Sequence, residues 1–412
     1  MSLGRGFETL REQNFRLLFV ARSVSTFGTA MATPALAFAV LKIGTPTDLG
    51  LVILAREIPI VVLLLLGGVW GDRVPRHLLL VVTDVVRGGA QATTALLLLT
   101  GKASVLDVAL LQIVFGGATA FGRPAFQGLV PQLVDARDLQ PANALLGLSS
   151  SVFTIVGPAL GALITTVAQP GWALGVDALT FGISALLTVR MALPRSSRVF
   201  TGSVLADFRE GWREVVCRSW LVWIIAAFGL FQLTYFPALL VLGPYVAKTD
   251  LGGPIAWGAI LACEAAGSLV GGFVALRVRF SRPLVATMLL VVPAGVQVVL
   301  LGVGAPLWAI AAASFVSGIC MAVGGAVWFA TVQEKIPEHA ISRVSSFDWF
   351  GSVALNPIGY AVVGPLSQAI GVGETLVVAG ALNLVCTAVI LGVPSVRGLR
   401  AGPDRAPVPE AA

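Results

Sequence analysis

Charge is scarce in this chain: Asp, Glu, Lys and Arg make up 12% of its 412 residues, against about a quarter in an average soluble domain. With 57% of the residues hydrophobic, no soluble core could absorb the apolar surface, which excludes an ordinary globular enzyme or binding domain. Histidine is reduced to His77 and His339, which form no metal-ligand cluster or catalytic set. The four cysteines, Cys217, Cys263, Cys320 and Cys386, lie singly with no CxxC or disulfide-type spacing and read as small buried hydrophobes. No GxxxxGK[ST] loop occurs, so a nucleotide-driven pump is excluded, and neither a cofactor nor a metal is expected.

Long apolar runs fill the space that charge leaves. Stretches of about 20 residues, enough for a helix to cross a bilayer, recur along the whole length between short polar or Gly/Pro-rich turns. They predict spans at 15–42, 49–70, 78–99, 105–128, 139–168, 172–193, 220–246, 257–276, 283–303, 306–332, 344–370 and 373–393. The first is too long for a signal peptide and no small-residue cleavage site follows it. Runs such as Leu51–Val69 and Leu284–Leu301 are apolar on both faces, unlike the alternating strands of a transmembrane barrel. The fold class expected is therefore an all-α integral membrane protein.

The basic residues orient it. With the N-terminus inside, the inner segments carry 21 Lys and Arg and the outer loops only Lys42, Lys102 and Lys248, while Arg22, Arg56 and Arg87 lie within spans. That asymmetry predicts cytoplasmic termini at the cell membrane. It also accounts for the net charge of +6 as topology, so no nucleic-acid partner is expected. Arg outnumbers Lys 23 to 4, a bias typical of GC-rich bacterial coding.

The longest inner connection, 194–219, sets Val204, Leu205, Phe208, Trp212 and Val216 on one helical face and Asp207, Arg209, Glu210, Arg213 and Glu214 on another, the pattern of a helix lying on the membrane surface. It divides the chain into a bundle at 1–193 and a bundle at 220–393, with a tail at 394–412. The halves look like repeats: Gly67-Gly68-Val69-Trp70-Gly71-Asp72-Arg73-Val74 has a counterpart in Gly271-Gly272-Phe273-Val274-Ala275-Leu276-Arg277-Val278. Parallel halves of this kind hold a ligand site between them.

These residues resemble the major facilitator superfamily, and within it the drug-proton antiporter branch that includes macrolide and siderophore exporters. Gly68 to His77 is similar to the loop signature Gly-x-x-x-Asp-Arg-x-Gly-Arg-Arg, with Gly68, Asp72, Arg73 and Arg76 in place, Pro75 for the usual Gly and His77 for the last basic residue. Gly157-Pro158-Ala159-Leu160-Gly161 resembles the Gly-Pro-x-x-Gly antiporter motif. The branch is carried by Pro131, Leu139, Ala142-Asn143-Ala144-Leu145, Val176 to Phe181 and Phe208 to Arg213. One departure is that 107–121 contains no Arg, where many proton-coupled exporters have one. The resemblance implies twelve transmembrane helices in two pseudo-symmetric six-helix bundles. It also implies a monomeric secondary transporter that exports a small, lipophilic or drug-like molecule in exchange for protons. Ion-coupled uptake, or a non-transporting receptor on the same fold, are the other readings.

Charges inside spans are expensive and stand as candidates. Asp72 would cap the eleventh helix near Ser345 and Ser346 and hold the inner side closed. Glu57 and Glu264 are the proton-coupling candidates. Arg56, Asp84, Arg87, Arg123 and Asp348 are candidates for structural pairing or charge relay, with Asp84 and Arg87 on one helix face and Asp348 read as a first-turn residue. Asp177 reads as structural. Arg22, Phe27, Phe231, Tyr235 and Trp328 are the candidates for lining a substrate cavity.

Overall fold

The structure, a computed structural model, describes residues 8–71, 75–135, 138–191 and 212–402. Asp72, Arg73, most of the amphipathic segment at 194–219, the side chains of Arg343 and Ser346, and most of the tail lie outside the described residues. Thirteen principal helices are seen, and no strand occurs among the described residues. The first six are α1 (Gln13–Ile43), α2 (Pro46–Gly71), α3 (Arg76–Leu99), α4 (Val105–Leu129), α5 (Leu139–Val167) and α6 (Pro170–Val189). The rest are α7 (Ser219–Thr249), α8 (Pro254–Ala275), α9 (Pro283–Gly302), α10 (Leu307–Lys335), α11 (Glu338–Val353), α12 (Asn356–Ile370) and α13 (Val372–Gly392). Among the described residues, nine are long and apolar enough to cross a membrane. The halves α11 and α12 are each too short, and α3 is diluted by Asp84, Arg87, Gln91 and its threonines.

Two proline effects reshape the expected spans. The single span expected at 344–370 is instead two helices separated by a turn at Ala354 and Leu355. Pro357 lacks the N–H that the carbonyl of Val353 needs, and its ring crowds the preceding turn. In addition, α11 begins at Glu338, directly after Pro337. Ser345 therefore lies two turns inside the helix rather than at its N-terminus, and Asp348 is not a first-turn residue. In α7, Pro237 and Pro244 bracket a π-helical turn at Ala238–Leu242, the widened winding that accommodates one extra residue.

The halves share a local signature. Both α3 and α9 end in a left-handed glycine, Gly101 at φ 69° and Gly304 at φ 70°, a conformation that only glycine enters without strain. The next residue then bonds back around the helix end, Lys102 N to Leu97 O at 2.9 Å and Ala305 N to Leu300 O at 3.0 Å. The same cap recurs 203 residues along the chain.

Burial shows where the halves meet. One apolar cluster joins them at the end that carries Lys42, Lys102 and Lys248, uniting Phe38, Leu41 and Leu49 with Tyr235, Trp257 and Tyr360. Towards the opposite end, near the chain termini, the buried clusters separate into one of the first half, around Phe15, Leu129 and Leu145, and one of the second, around Trp220, Trp328 and Val344. At the shared end Lys248 donates to the carbonyl of Leu41 at 2.5 Å. Across the seam α5 packs on α8, where a side chain at Gly258 would meet Ala162 and the carbonyl of Pro158. The described contacts between halves thus gather at the lysine end.

Candidate functional site

Inside the first half, a polar lock joins three helices. Arg87 pairs with Asp84 one turn before it, and Ser184 of α6 donates to Asp84 Oδ2 at 2.6 Å. The Arg87 guanidinium lies 4.5 Å over the Phe181 ring, a cation–π contact. Asp177, fully buried, accepts from Gln91 Nε2 at 2.6 Å and from Thr29 Oγ1 at 3.3 Å, tying α6 to α3 and α1. Arg76 donates to the carbonyl of Gly128 and fastens the start of α3 to α4. Arg22 lies over the Phe126 ring at 4.7 Å, and Arg123 is exposed on α4.

The Gly157-Pro158-Gly161 segment lies at a crossing of three helices. A side chain at Gly161 would collide with the carbonyl of Met31, so α1 and α5 can touch only through glycine there. The opposite side of the same segment faces Gly258 of α8, across the seam between halves.

Between the halves, below the shared cluster, a cavity is lined by α1, α2 and α4 on one side and by α7, α8 and α12 on the other. Arg56, Glu57, Gln112 and Thr33 form the first wall, and Leu240, Pro244, Trp257, Leu261 and Tyr360 face them. Both amide atoms of Gln112, which is 1% exposed, and the Nε of Arg56 have no hydrogen-bond partner. A buried polar group left unpaired costs about 1–3 kcal/mol, so this wall is set up for a ligand or water. The Arg56 guanidinium rests 4.7 Å over Phe115.

In the second half Glu264 enters a buried chain of polar groups. Tyr235 Oη lies 3.2 Å from Glu264 Oε1 and 3.0 Å from Gln297 Oε1, Gln297 Nε2 donates to Ser314 Oγ at 2.9 Å, and Ser314 Oγ donates to Ile310 O at 2.8 Å. No lysine or arginine stands in this chain. Phe231 stacks on Tyr235 with ring centroids 4.7 Å apart, and Phe27 packs edge-on against Phe153 at 5.5 Å. Trp328 donates from Nε1 to Asp348 Oδ2 at 2.9 Å, and both line a second recess of the second half with Phe228, Gln232 and Trp349.

The structure therefore brings Arg56 and Glu57 to one cavity between halves and leaves Glu264, Phe231 and Tyr235 in the core of the second half. Sequence reasoning missed Gln112, Trp257 and Tyr360 in the cavity and Gln297 in the polar chain. Gln112 and Gln297 had a signal, each being an amide within an apolar span, but the sequence search weighed charges and aromatics only.

The sequence model of the Major Facilitator Superfamily matches residues 18–355. The multidrug efflux pump Tap of Mycobacterium tuberculosis is 25% identical over 401 residues, covering 94% of this chain and 95% of that protein. The enterobactin exporter EntS of Escherichia coli is 24% identical over 385 residues, covering 90% and 91%. Among solved structures, a bacterial homolog of the human lysosomal transporter Spinster, inward-facing and unoccupied, aligns with TM-score 0.72 at 13% identity, covering 95% of this chain and 98% of that one. At that identity the likeness shows the fold alone.

Proposed function

We propose that this chain, which belongs to the Major Facilitator Superfamily and is a multi-pass membrane transporter, exports a small lipophilic or drug-like molecule by alternating access in exchange for protons. The observation that carries the reading is the cavity between the halves, with the unpartnered groups of Arg56 and Gln112 on one wall and an apolar wall opposite. Full-length similarity to two exporters supports the outward direction. Residues 1–193 and 220–393 act as the two rocking bundles, joined by 194–219 at the membrane surface, and the chain works as a monomer. The basic bias of the terminal end puts that end in the cytoplasm, so the arrangement described is closed outside.

Glu264 is the proton carrier in this reading. The Tyr235 hydroxyl has one proton and two acceptor oxygens beside it, and the arrangement that keeps every bond from Glu264 to Ile310 O places a proton on Glu264. Glu57 serves the ligand cavity. Asp72, Arg73 and Gly68 form the inner gating loop, with the exposed helix start at Glu338, rather than Ser345, as the dipole that Asp72 caps when the inner side closes. The Gly157-Pro158-Gly161 crossing is the flexing seam.

The test is accumulation of a panel of lipophilic dyes and antibiotics in cells producing the protein, with and without a protonophore. Lower accumulation that the protonophore, Asp72→Asn and Glu264→Gln each abolish supports proton-driven export. Raised accumulation would mark an importer, and Glu264→Gln with intact proton-driven export would remove Glu264 from its role.

A further inference from the structure

The cavity between the halves has two unlike walls. Every side chain on it with a polar group from the first half (Thr33, Arg56, Glu57, Gln112) stands opposite Leu240, Pro244, Trp257 and Leu261 of the second half. A ligand filling it must itself be two-sided, polar along one edge and apolar on the other. The charges on the polar wall cancel, since Glu57 adjoins Arg56 on the same lining, so the wall does not select a net anion or cation. What remains unsatisfied is an acceptor and a pair of donors: Gln112 Oε1, Gln112 Nε2 and Arg56 Nε. A side-chain amide is completed at both atoms by a partner that sets a donor beside an acceptor, which is the edge of a cis secondary amide. Such a partner also leaves a carbonyl lone pair for Arg56 Nε.

We propose that this cavity takes an amphipathic molecule bearing a lactam-type amide edge, with that edge on Gln112 and Arg56 and an apolar face on Trp257 and Leu261. The proposal rests on reading the cavity as the transport site and names the substrate class for it. Site and ligand match through the same logic by which polar sites reject analogues that leave buried groups unpaired.

The test uses the purified full-length chain in detergent and equilibrium dialysis with two probes. One is the cyclic dipeptide cyclo(Leu-Phe), which presents cis-amide edges beside apolar side chains. The other is its N,N′-dimethyl derivative, which keeps the carbonyls and the apolar face but loses the N–H donors. The expected result is binding of cyclo(Leu-Phe) at least about tenfold tighter than the dimethyl derivative, a difference of about 1.4 kcal/mol. Gln112→Leu should erase that preference while leaving the weak binding of the dimethyl derivative unchanged. It should also melt no lower than the parent, because it removes two unpaired buried groups and keeps the volume. Equal binding of both probes, binding of neither, or a preference that survives in Gln112→Leu would overturn the proposal. Dialysis does not depend on flux: the expected pattern in a protein that moves neither probe in energised cells would sink the export reading and leave the cavity assignment standing.

Discussion

The two halves cross their helices in the same way but put opposite charges at the crossing. In the first half α4 meets α2 where a side chain at Gly116 would strike the carbonyl of Arg56; in the second α10 meets α8 where one at Gly318 would strike the carbonyl of Glu264. The cation rests on the Phe115 ring beside the cavity, and the carboxyl group faces Tyr235 in the core. Equivalent backbone geometry has thus been given a ligand-facing cation on one side and a buried acid on the other. A repeat fixes where side chains can stand, and the residue type then decides whether the position recognises a ligand or stores a proton.

The strongest way to break this comparison is to neutralise the acid. Glu264→Gln should lower proton-driven flux by about a hundredfold or more, the scale of a lost proton-transfer group, while ligand binding to the purified protein changes little. Vesicle flux under an imposed pH gradient, set against dialysis, measures both. Next comes stability within the first half, where one cation is paired and another is not. Arg87→Leu leaves Asp84 buried without its ion-pair partner and should cost about 3–5 kcal/mol, whereas Arg56→Leu should leave thermal unfolding in detergent nearly unchanged. Adding Asp84→Asn to Arg87→Leu should restore part of the loss.

The crossings themselves come third. Gly116→Leu and Gly318→Leu should each lower stability by about 1–3 kcal/mol through overpacking, and a large difference between them would show that the two crossings are not mechanically equivalent. The smallest effect is expected at Trp328→Phe, which removes the indole donor to Asp348 but keeps an aromatic ring. A loss of about 1 kcal/mol, read from the melting midpoint, would assign the hydrogen bond its share of holding α10 to α11.

Hydropathy made most of the spans legible because a lipid-facing helix must be apolar along its whole length, and the described ends fall within several residues of those read from the sequence. The break between α11 and α12 was not legible, since the run from Val344 to Ile370 stays apolar enough to pass as one span and only Pro357 marks the interruption. The charged members of the candidate site could be found one by one, because an ionisable group in a span stands out. Their assembly could not. Nothing in the order of residues says that Gln297 stands beside Tyr235, or that Trp257 lies across from Gln112, because those pairings come from packing helices far apart in the chain. Aromatic residues misled for the opposite reason: Phe231 and Tyr235 lie on a helix that approaches the cavity, yet both side chains are buried in the core of the second half.

The π-helical turn in α7 holds one residue more than an α-helix of the same length would. Deleting a single residue between Pro237 and Gly243 would therefore barely shorten the helix, but it would rotate everything beyond by about 100°. Leu240 or its replacement, and Pro244, would swing away from the cavity, and Lys248 would leave the carbonyl of Leu41. In that sense the turn acts as a phase setting, making the chain far less tolerant of a one-residue deletion here than of many single substitutions.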